Sequence, residues 1–382
     1  MADIHDALTV ESDRLIYILY RTYPDYMGSY KPSDHPSYDI FYRYLYDMLI
    51  KHNNVTFDVA LSSTHIPPYR ELLKSIYTPK ILTNFVNNNV KYQYKTRVVL
   101  YEINVTIVIS SDMEIDEATL IRRMRRYVTC ASFCFESKGD IVIHDVTIYI
   151  YDNPITKDIY ESGKTLGSHN VNSGISHVDG GEASIIFRKE ESLKVFVHEL
   201  LHLTGNGPYR MKMKMNKEMD KMIPISSTVC GEEIYVEMIA RLINSGMMAY
   251  EKCNGSYETF ANIIDKCIYI ERLFSVCQVR KILDYMGIGT FKMNHKTLYS
   301  YKEDTNVFSY YIATASLFLS EEFIPWLVSQ NNGIKFTLND KTLTSYIKML
   351  NRSLNSKYFS NFCDNVSTDK NFGMRMSIIE LK

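Results

Sequence analysis

KEESLKVFVHELLHLT, residues 189–204, is the stretch of this chain that most limits the choice of fold. Its apolar residues recur at the spacing of one helical face, at Leu193, Val197, Leu200 and Leu201. Glu190 and Glu191 are expected in the first turn, where carboxylates favour the positive end of the helix dipole. Gly205 follows the stretch and is typical of a helix end. The pattern predicts a helix over residues 189–204.

Two histidines lie four residues apart on this predicted helix, in the order His198-Glu199-Leu200-Leu201-His202. At that spacing both imidazoles project from one helical face and can reach one metal ion. Zinc would lower the pKa of water and polarise a carbonyl group, and Glu199 is placed to act as the general base of a hydrolysis. We expect His198 and His202 to bind zinc and Glu199 to be catalytic.

The alternative is a surface helix that carries two histidines by chance. Two features of the sequence favour a metal site over that alternative. Gly205 ends the helix three residues after His202, so the chain can turn away without covering the metal. A short apolar run, residues 183–188, precedes the helix and predicts a strand with which an extended peptide could pair.

A catalytic zinc site usually has a third protein ligand and an open position for water. A histidine six residues after His202 would give the metzincin arrangement, but Pro208 occupies that position and cannot coordinate. Downstream, a helix-forming stretch carries Glu233 and Glu237 one turn apart on one face. We expect Glu233 to be the third ligand and Glu237 to orient a liganding histidine. The alternatives for the third ligand are Glu232, Glu237 itself, Cys230 and Asp220.

A HExxH helix followed by a helix with a glutamate ligand resembles the gluzincin branch of the zincin metallopeptidases. The resemblance extends over about residues 172–241, and within it NSG at 172–174 and IIFRKEE at 185–191 are similar to uncharacterised zincin-like proteins of large DNA viruses. It implies a mixed sheet with an edge strand above the active-site helix, a zinc cofactor and a peptide or protein substrate. The family pattern transfers to His198, His202 and Glu233 as ligands and to Glu199 as general base.

The thermolysin-like and aminopeptidase-like groups of this family carry a further tyrosine or histidine that stabilises the oxyanion of the reaction. No local motif identifies that residue in this chain. The candidates are Tyr235, His177, Arg188 and Tyr209. For His177, a loop histidine without a role is the simpler interpretation.

The first 95 residues predict a helical region in which prolines separate short segments. One of these segments has apolar residues at helical spacing, at Phe41, Leu45, Met48 and Leu49. From Arg97 the period changes to two, as in a strand with one buried face, with apolar residues at Tyr101, Ile103, Val105, Ile107 and Ile109. A sheet is expected to begin near residue 96.

Residues 96–205 predict the sheet-containing half, which ends with the HExxH helix. We expect a helix over residues 115–127 and strands over residues 141–151 and 183–188. A polar, Gly-rich stretch, residues 152–181, lies between those strands and predicts a functional or partly disordered loop.

Residues 206–228 contain a Met/Lys run without a dominant period, which predicts a solvated connector; a mobile flap that faces the substrate is the alternative. Residues 229–382 predict a mainly helical C-terminal half, with helices over residues 232–244, 257–285, 309–328 and 340–354. The expected fold class is α+β: a zincin-like mixed sheet with the active-site helix, followed by this helical half.

The amino-acid composition limits the classes of partner that this chain is expected to bind. A formal net charge of −1 disfavours a general nucleic-acid binder, because phosphate neutralisation needs an excess of Lys and Arg. The run RRMRR, residues 122–126, is most simply the solvated face of a helix, with contact to nucleic acid or to an acidic partner as the alternative. The apolar stretch at residues 312–328 is interrupted by Glu321 and Glu322, and the N-terminus lacks a secretory pattern, so no membrane span or signal is predicted.

Seven cysteines without a CxxC pair predict reduced, buried thiols. We therefore expect a soluble, intracellular protein, of the host cytoplasm or the virion if it is viral. Two rivals to a peptidase remain: a zinc hydrolase of another substrate, and a non-catalytic zincin-fold structural protein, virion protein or regulator. The presence of Glu199 favours hydrolysis, because a structural site has no use for a base. The sequence does not indicate the oligomeric state.

Overall fold

In the computed structural model, the described residues are 4–62, 65–67, 69–159, 165–178, 180–293, 298–299, 301–330, 333–367, 369 and 372–382. Within them the chain is an α+β protein, as expected, with one mixed sheet of six strands. The strands are β1 (Ala60–Leu61), β2 (Tyr92–Leu100), β3 (Ile103–Ser111), β4 (Asp145–Tyr151), β5 (Gly174–Ser176) and β6 (Ala183–Ile186).

The helices begin before the sheet and continue to the C-terminal region. They are α1 (Val10–Thr22), α2 (Pro24–Gly28), α3 (Pro36–Asn53), α4 (Arg70–Leu73), α5 (Lys80–Asn88), α6 (Glu117–Glu136), α7 (Ser168–Val171), α8 (Ser192–Leu203), α9 (Lys212–Met222), α10 (Gly231–Lys252), α11 (Tyr257–Tyr285), α12 (Thr314–Ser320), α13 (Phe323–Ser329), α14 (Asp340–Leu354) and α15 (Lys357–Asn365). A π-helical segment, Phe308–Ala313, leads directly into α12.

The strand order in the sheet is β1-β2-β3-β4-β6-β5. β2 is antiparallel to both of its neighbours, β1 and β3, whereas β3, β4 and β6 run parallel. The short strand β5 pairs antiparallel with β6 and forms the edge of the sheet. The sequence did not predict β5, which lies inside the Gly-rich stretch and is only three residues long.

The period-two stretch from Arg97 is not one strand. Its first residues belong to β2, and the chain reverses at Tyr101 and Glu102 before β3 begins, with Leu100 paired to Ile103. Both turn residues have positive φ, 50° and 67°. This backbone suits a two-residue hairpin, but the usual Asn-Gly or Asp-Gly signal is missing from the sequence.

The two faces of the sheet contact different helices. On β3, Ile107 and Ile109 belong to the main hydrophobic core, whereas Val108 between them faces a smaller cluster on the other side. The main core includes residues of α3, α6, α8, α10 and α11. The smaller cluster is formed by α4, α5 and the opposite face of the central strands.

The HExxH helix α8 begins at Ser192, three residues later than predicted. Glu190 and Glu191 therefore lie before the first turn of α8, and the predicted position of their carboxylates inside that turn is wrong. Glu191 adopts a left-handed backbone, with φ of 57°, and its buried carboxylate accepts hydrogen bonds from the backbone N–H groups of Met376 and Ser377. The helix end is as expected, with Gly205 at φ of 62°.

Residues 206–228, predicted as a solvated connector, contain the helix α9. Met215 and Met219, one turn apart, are buried, while the lysines of the run are exposed or half-buried. A Cβ atom at Gly231 would lie 2.5 Å from the sulfur of Met215, so a glycine is needed where α9 packs on the start of α10. The Met and Lys residues alternate, which hid the helical period.

The predicted Gly-rich loop is ordered in its described parts; residues 160–164 and 179 lie outside the described residues. The guanidinium of Arg188 is buried beneath it and donates to the carbonyl oxygens of Asn172, His169, Ile155 and Thr156 at 2.6–2.9 Å. This side chain ties α7 and the start of β5 to the chain that follows β4.

The RRMRR run lies on α6, and most of its arginines bind other parts of the protein. Arg123 pairs with Asp152 at 2.6 and 2.7 Å, and Arg126 pairs with Glu251. Arg125 donates to the carbonyl oxygen of Asn53 at 3.0 Å. The interpretation of this run as a solvated face is therefore wrong for these three side chains.

Three further expectations can be compared with the described part of the chain. All seven cysteines are free and buried, as predicted. Among the described helices, none combines the length and the apolar character that crossing a bilayer requires. The helices predicted over residues 257–285 and 340–354 are confirmed as α11 and α14, with the predicted bounds.

Candidate metal centre

Two packed helices supply the candidate metal centre. His198, Glu199 and His202 project from α8, and Glu233 projects from the first turn of α10. The three residues on α8 are 6–7% exposed, and the Glu233 side chain is 12% exposed. Among the described residues, His198, His202 and Glu233 form the one group whose atoms lie close enough together to hold a metal ion.

The three candidate ligand atoms form an equilateral triangle. The Nε2 atoms of His198 and His202 are 3.2 Å apart, and each lies 3.2 Å from Oε2 of Glu233. Ligand atoms bound to a tetrahedral zinc at about 2.0–2.1 Å lie about 3.3 Å from one another. The triangle therefore fits one small tetrahedral ion with two nitrogen ligands and one oxygen ligand.

A carboxylate lies behind each histidine. Nδ1 of His198 is 3.0 Å from Oε2 of Glu237, and Nδ1 of His202 is 2.9 Å from Oε1 of Glu232. Since a carboxylate only accepts, each Nδ1 carries a hydrogen, which leaves the lone pair of each Nε2 available for a metal ion. Glu237 thus occupies the orienting position predicted for it, and Glu232, considered only as an alternative ligand, orients the other histidine.

The centre has an excess of negative charge. Glu237 is paired with the buried Lys194 at 3.0 and 3.1 Å, and Glu232 lies 3.4 Å from Lys212. These two ammonium groups face four carboxylates, of which the other two are Glu199 and Glu233. Protons on the two histidines, or one divalent cation bound between them, would neutralise the two negative charges left over.

The pKa shifts agree with a negative potential at the triangle. Burial lowers the pKa of His202, but the charges of Glu233 and Glu232 outweigh burial and raise it well above its usual range. Burial likewise opposes the charge of His198, whose pKa is raised by hydrogen bonds with Glu233 and Glu237. The same potential that favours a proton on these imidazoles favours a metal cation between them.

Glu199 lies beside the triangle and against the edge strand. Burial raises the pKa of its carboxyl above the ordinary range for glutamate. A Cβ atom at Gly174 of β5 would be 2.6 Å from Oε1 of Glu199, so only glycine allows the strand to approach this carboxylate so closely. The raised pKa moves Glu199 towards the range in which a general base works best.

The strand that precedes α8 in the sequence, β6, is not the edge strand of the sheet. β6 was expected to pair with a peptide, but β5 covers it. Phe187 donates its N–H to Ser173, and His177 donates its N–H to Ala183, so the odd-numbered residues of this segment bond to β6. By the alternation of an antiparallel ladder, the backbone groups of Gly174 and Ser176 point away from the sheet.

Tyr310 is the aromatic residue at the centre that the sequence analysis missed. It is half-buried on the π-helical segment, and its ring centroid is 5.9 Å from that of His198. Burial, together with the charge of Glu233, raises the pKa of its phenol well above the usual range, so the hydroxyl keeps its hydrogen. No local motif marks Tyr310, because only the tertiary fold brings it to α8.

The four residues considered for oxyanion stabilisation have other partners. Tyr235 donates to the carbonyl oxygen of Ile334 at 2.7 Å within an aromatic cluster. The ring of His177 lies against Tyr69 and its Nδ1 accepts from the backbone N–H of Glu182. Arg188 binds the loop carbonyls, and Tyr209 lies on a single turn before α9 beneath the ammonium of Lys212.

The alternative third ligands also lie elsewhere. Asp220 is exposed on α9. Cys230 precedes α10 and does not belong to the group of ligand atoms that lie close together. Of the five candidates, only Glu233 has a carboxylate oxygen in the triangle with both histidines.

Three comparisons with known proteins were negative. A scan against protein-family models, a search of curated proteins and a search of solved structures each find no match for this chain. The argument for the function of the site therefore depends on its residues and their geometry.

Proposed function

We propose that this chain is a zinc-dependent hydrolase of the gluzincin kind and that it cleaves peptide bonds. The observation that carries the proposal is the 3.2 Å triangle of His198, His202 and Glu233 with the carboxylate of Glu199 beside it. The antiparallel edge strand β5 beside α8 also agrees with the arrangement that the resemblance implies. A metal site without catalysis would need the triangle but not Glu199.

When bound, zinc supplies a Lewis acid that lowers the pKa of water and polarises a carbonyl group. His198 and His202 would hold it through Nε2, in the tautomer that the hydrogen bonds of Nδ1 to Glu237 and Glu232 favour. Glu199 accepts the proton of the attacking water and returns it to the leaving nitrogen. Its raised pKa makes Glu199 a stronger base than an exposed glutamate, which favours the first of these two transfers.

Tyr310 is proposed to stabilise the negative charge that develops on the carbonyl oxygen. Its phenol stays protonated, lies next to His198, and can donate a hydrogen bond into the site. The backbone N–H and C=O groups of Gly174 and Ser176 are available to pair with an extended chain. Pairing of this kind favours a peptide over other amide or glycan-linked substrates.

Comparison of the wild type with Glu199→Gln tests the proposal. Gln keeps the size of the side chain but cannot accept a proton as a carboxylate does, so turnover of peptides should fall by several orders of magnitude. Zinc content and melting temperature should not change, because Glu199 is not a ligand. Glu182→Gln, an exposed carboxylate after β5, is the control and should retain full activity.

Equal rates for the wild type and Glu199→Gln would contradict the mechanism. Full zinc occupancy without hydrolysis of peptide, amide or glycan libraries would favour the rival, a zincin-fold protein that binds zinc without turnover. Loss of zinc from Glu182→Gln would show that the control is unsuitable, so zinc content is measured for all three proteins.

A further inference from the structure

A buried lysine lies one helical turn before the first histidine of the candidate metal centre. Lys194 and His198 are four residues apart on α8, so their side chains share one face of the helix. The side chain of Lys194 is 2% exposed, and that of its partner Glu237 is 0% exposed. A lysine is almost never buried to this degree unless it is paired. The partners of this ammonium group therefore show why it is buried.

The contacts of Lys194 lead directly to the histidine. Its Nζ donates to Oε1 of Glu237 at 3.0 Å and to Oε2 at 3.1 Å. Oε2 in turn lies 3.0 Å from Nδ1 of His198. An ammonium group has three hydrogens, and the sulfur of Met376, 3.4 Å from Nζ, accepts the third. Neither the ammonium nor the carboxylate can turn without losing one of these hydrogen bonds.

The buried Glu191 lies on the other side of the ammonium. Its Oε1 is 3.9 Å from Nζ of Lys194 and accepts from the backbone N–H groups of Met376 at 3.0 Å and Ser377 at 2.6 Å. Its Oε2 pairs with Lys157, whose side chain is 0% exposed. The ammonium of Lys194 is thus enclosed by groups of α8, α10 and the C-terminal region, which are themselves held in the protein interior.

The second histidine has a looser support of the same kind. Nδ1 of His202 is hydrogen-bonded to Glu232, and Nζ of Lys212 lies 3.4 Å from Oε2 of Glu232. This Oε2 makes no hydrogen bond to the described residues, and the side chain of Lys212 is 39% exposed. Both supports have the order histidine, glutamate, lysine, but only in the support of His198 is the lysine buried.

We propose that Lys194 is a positioning residue of the metal centre, which holds both oxygens of Glu237 and thereby fixes the ring of His198 in the orientation that binds zinc. This inference rests on the zinc site of the proposed function, but not on the substrate. A ring whose Nδ1 has no fixed partner can turn, and turning moves Nε2 out of the triangle. Loss of such an outer partner lowers metal affinity by about 10- to 100-fold.

The charge of Lys194 and its positioning role have opposite effects on zinc binding. A positive charge near the triangle repels a divalent cation, so loss of the charge alone strengthens zinc binding. Loss of positioning weakens zinc binding, because His198 and Glu237 can then adopt other arrangements. The direction of the change in zinc affinity therefore distinguishes a positioning residue from a charge that only balances Glu237.

Lys194→Met in the full chain tests the assignment. Met keeps the unbranched apolar stem but lacks the ammonium, so zinc affinity, measured by competition with a chromophoric chelator, should fall by about tenfold or more. The visible absorption bands of the Co²⁺-loaded protein should also change, because they report the geometry of the ligands. Lys157→Met is the matched control, since it removes an equally buried lysine whose ion pair is with Glu191. It should lower the melting temperature but have a clearly smaller effect on zinc affinity and on the Co²⁺ spectrum.

A double variant keeps the test decisive if Lys194→Met does not fold. The single substitution leaves the buried carboxylate of Glu237 without its cation, whereas Lys194→Met combined with Glu237→Gln removes both charges. Because Lys194 acts through Glu237, the double variant should bind zinc no more weakly than Glu237→Gln alone. Where both single variants fold, their losses of affinity should not add.

Each outcome supports or overturns the assignment. Unchanged or stronger zinc binding by Lys194→Met, equal effects of Lys194→Met and Lys157→Met, or a double variant weaker than Glu237→Gln would overturn it. Absence of zinc binding by the wild type would contradict the proposed zinc site and this inference together. Zinc binding that depends on Lys194, without hydrolysis of any peptide, would support the positioning role and contradict the peptidase.

Discussion

Glu232, Glu233 and Glu237 lie within one and a half turns of α10, and each has a different partner at the candidate metal centre. Glu233 completes the triangle, whereas Glu232 and Glu237 accept from Nδ1 of the two histidines. Neighbouring positions on a helix differ in direction by about a quarter of a turn, so a one-residue shift changes which histidine a carboxylate meets.

Replacing each of these glutamates by Gln should separate their roles. Glu233→Gln removes a charged ligand and should abolish zinc retention against a chelator. Glu232→Gln and Glu237→Gln remove only the carboxylate behind a histidine, so each should weaken zinc affinity by about 10- to 100-fold. Zinc affinity is measured by competition with a chromophoric chelator. If Glu232→Gln lost zinc completely while Glu233→Gln retained it, the assigned ligand would be wrong.

A second residue-scale prediction concerns the largely buried Glu303. Its carboxylate accepts from the backbone N–H of Phe308 at 2.6 Å and from Tyr301 at 2.8 Å, and burial raises its pKa to about 8. The unfolded chain releases this proton near pH 4.5, whereas the folded chain keeps it up to about pH 8. Ionisation therefore costs stability in this window, and the free energy of unfolding should fall as pH rises from 4.5 to 8.

Glu303→Gln tests this dependence. The slope for this single group is at most about 1.4 kcal/mol per pH unit, and the variant should lack that contribution. Urea unfolding at pH 5, 6, 7 and 8 measures it, with Glu182→Gln as an exposed control. Parallel pH profiles for the wild type and Glu303→Gln would contradict the prediction.

At the scale of elements, the sequence predicted the helices whose apolar residues repeat at a regular spacing. The long apolar patterns predicted α11 and α14 with their observed bounds. The prediction of the HExxH helix was correct except that the helix begins three residues later. The strand β5, the helix α9 and the hairpin at Tyr101 were missed for separate reasons. β5 is too short for a period, α9 alternates Met with Lys, and the hairpin lacks the residues that usually mark its turn.

The hairpin turn offers an element-scale prediction. Glu102 is exposed and has φ of 67°, a conformation that costs a non-glycine residue about 1–2 kcal/mol. Glu102→Gly should remove this strain and, after the entropy that glycine loses on folding, raise the free energy of unfolding by about 0.5–1 kcal/mol. Glu114→Gly, at an exposed position without positive φ, should not stabilise the protein. Chemical denaturation of both variants checks the difference.

At the scale of the whole molecule, the site is assembled from distant parts of the chain. Sequence reasoning found His198, His202 and Glu233 because two local segments carry them. It could not find Tyr310, because this residue reaches the site only through tertiary packing. The resemblance implies the same ligand set as the spacing of these residues but gives no signal for Tyr310.

Zinc should stabilise the whole fold, because its ligands join α8 of the sheet half to α10 of the helical half. An ion that binds only the folded state at a thousand times its Kd adds about 4 kcal/mol to the free energy of unfolding. The wild type should therefore melt at a higher temperature with zinc than with chelator. His198→Ala should lose this shift, and His177→Ala, at a histidine outside the triangle, should keep it. An equal shift in His198→Ala would place the ion elsewhere.

The burial of all seven cysteines has a practical consequence for experiments on this protein. Burial raises the pKa of the thiols of Cys130, Cys230 and Cys277 to about 12, so they are neither accessible nor ionised at neutral pH. Alkylating reagents should leave the native chain unlabelled, and the rate of slow labelling then reports how often the core opens. A cysteine introduced at the exposed Lys217 would accept a fluorophore without removal of the natural cysteines.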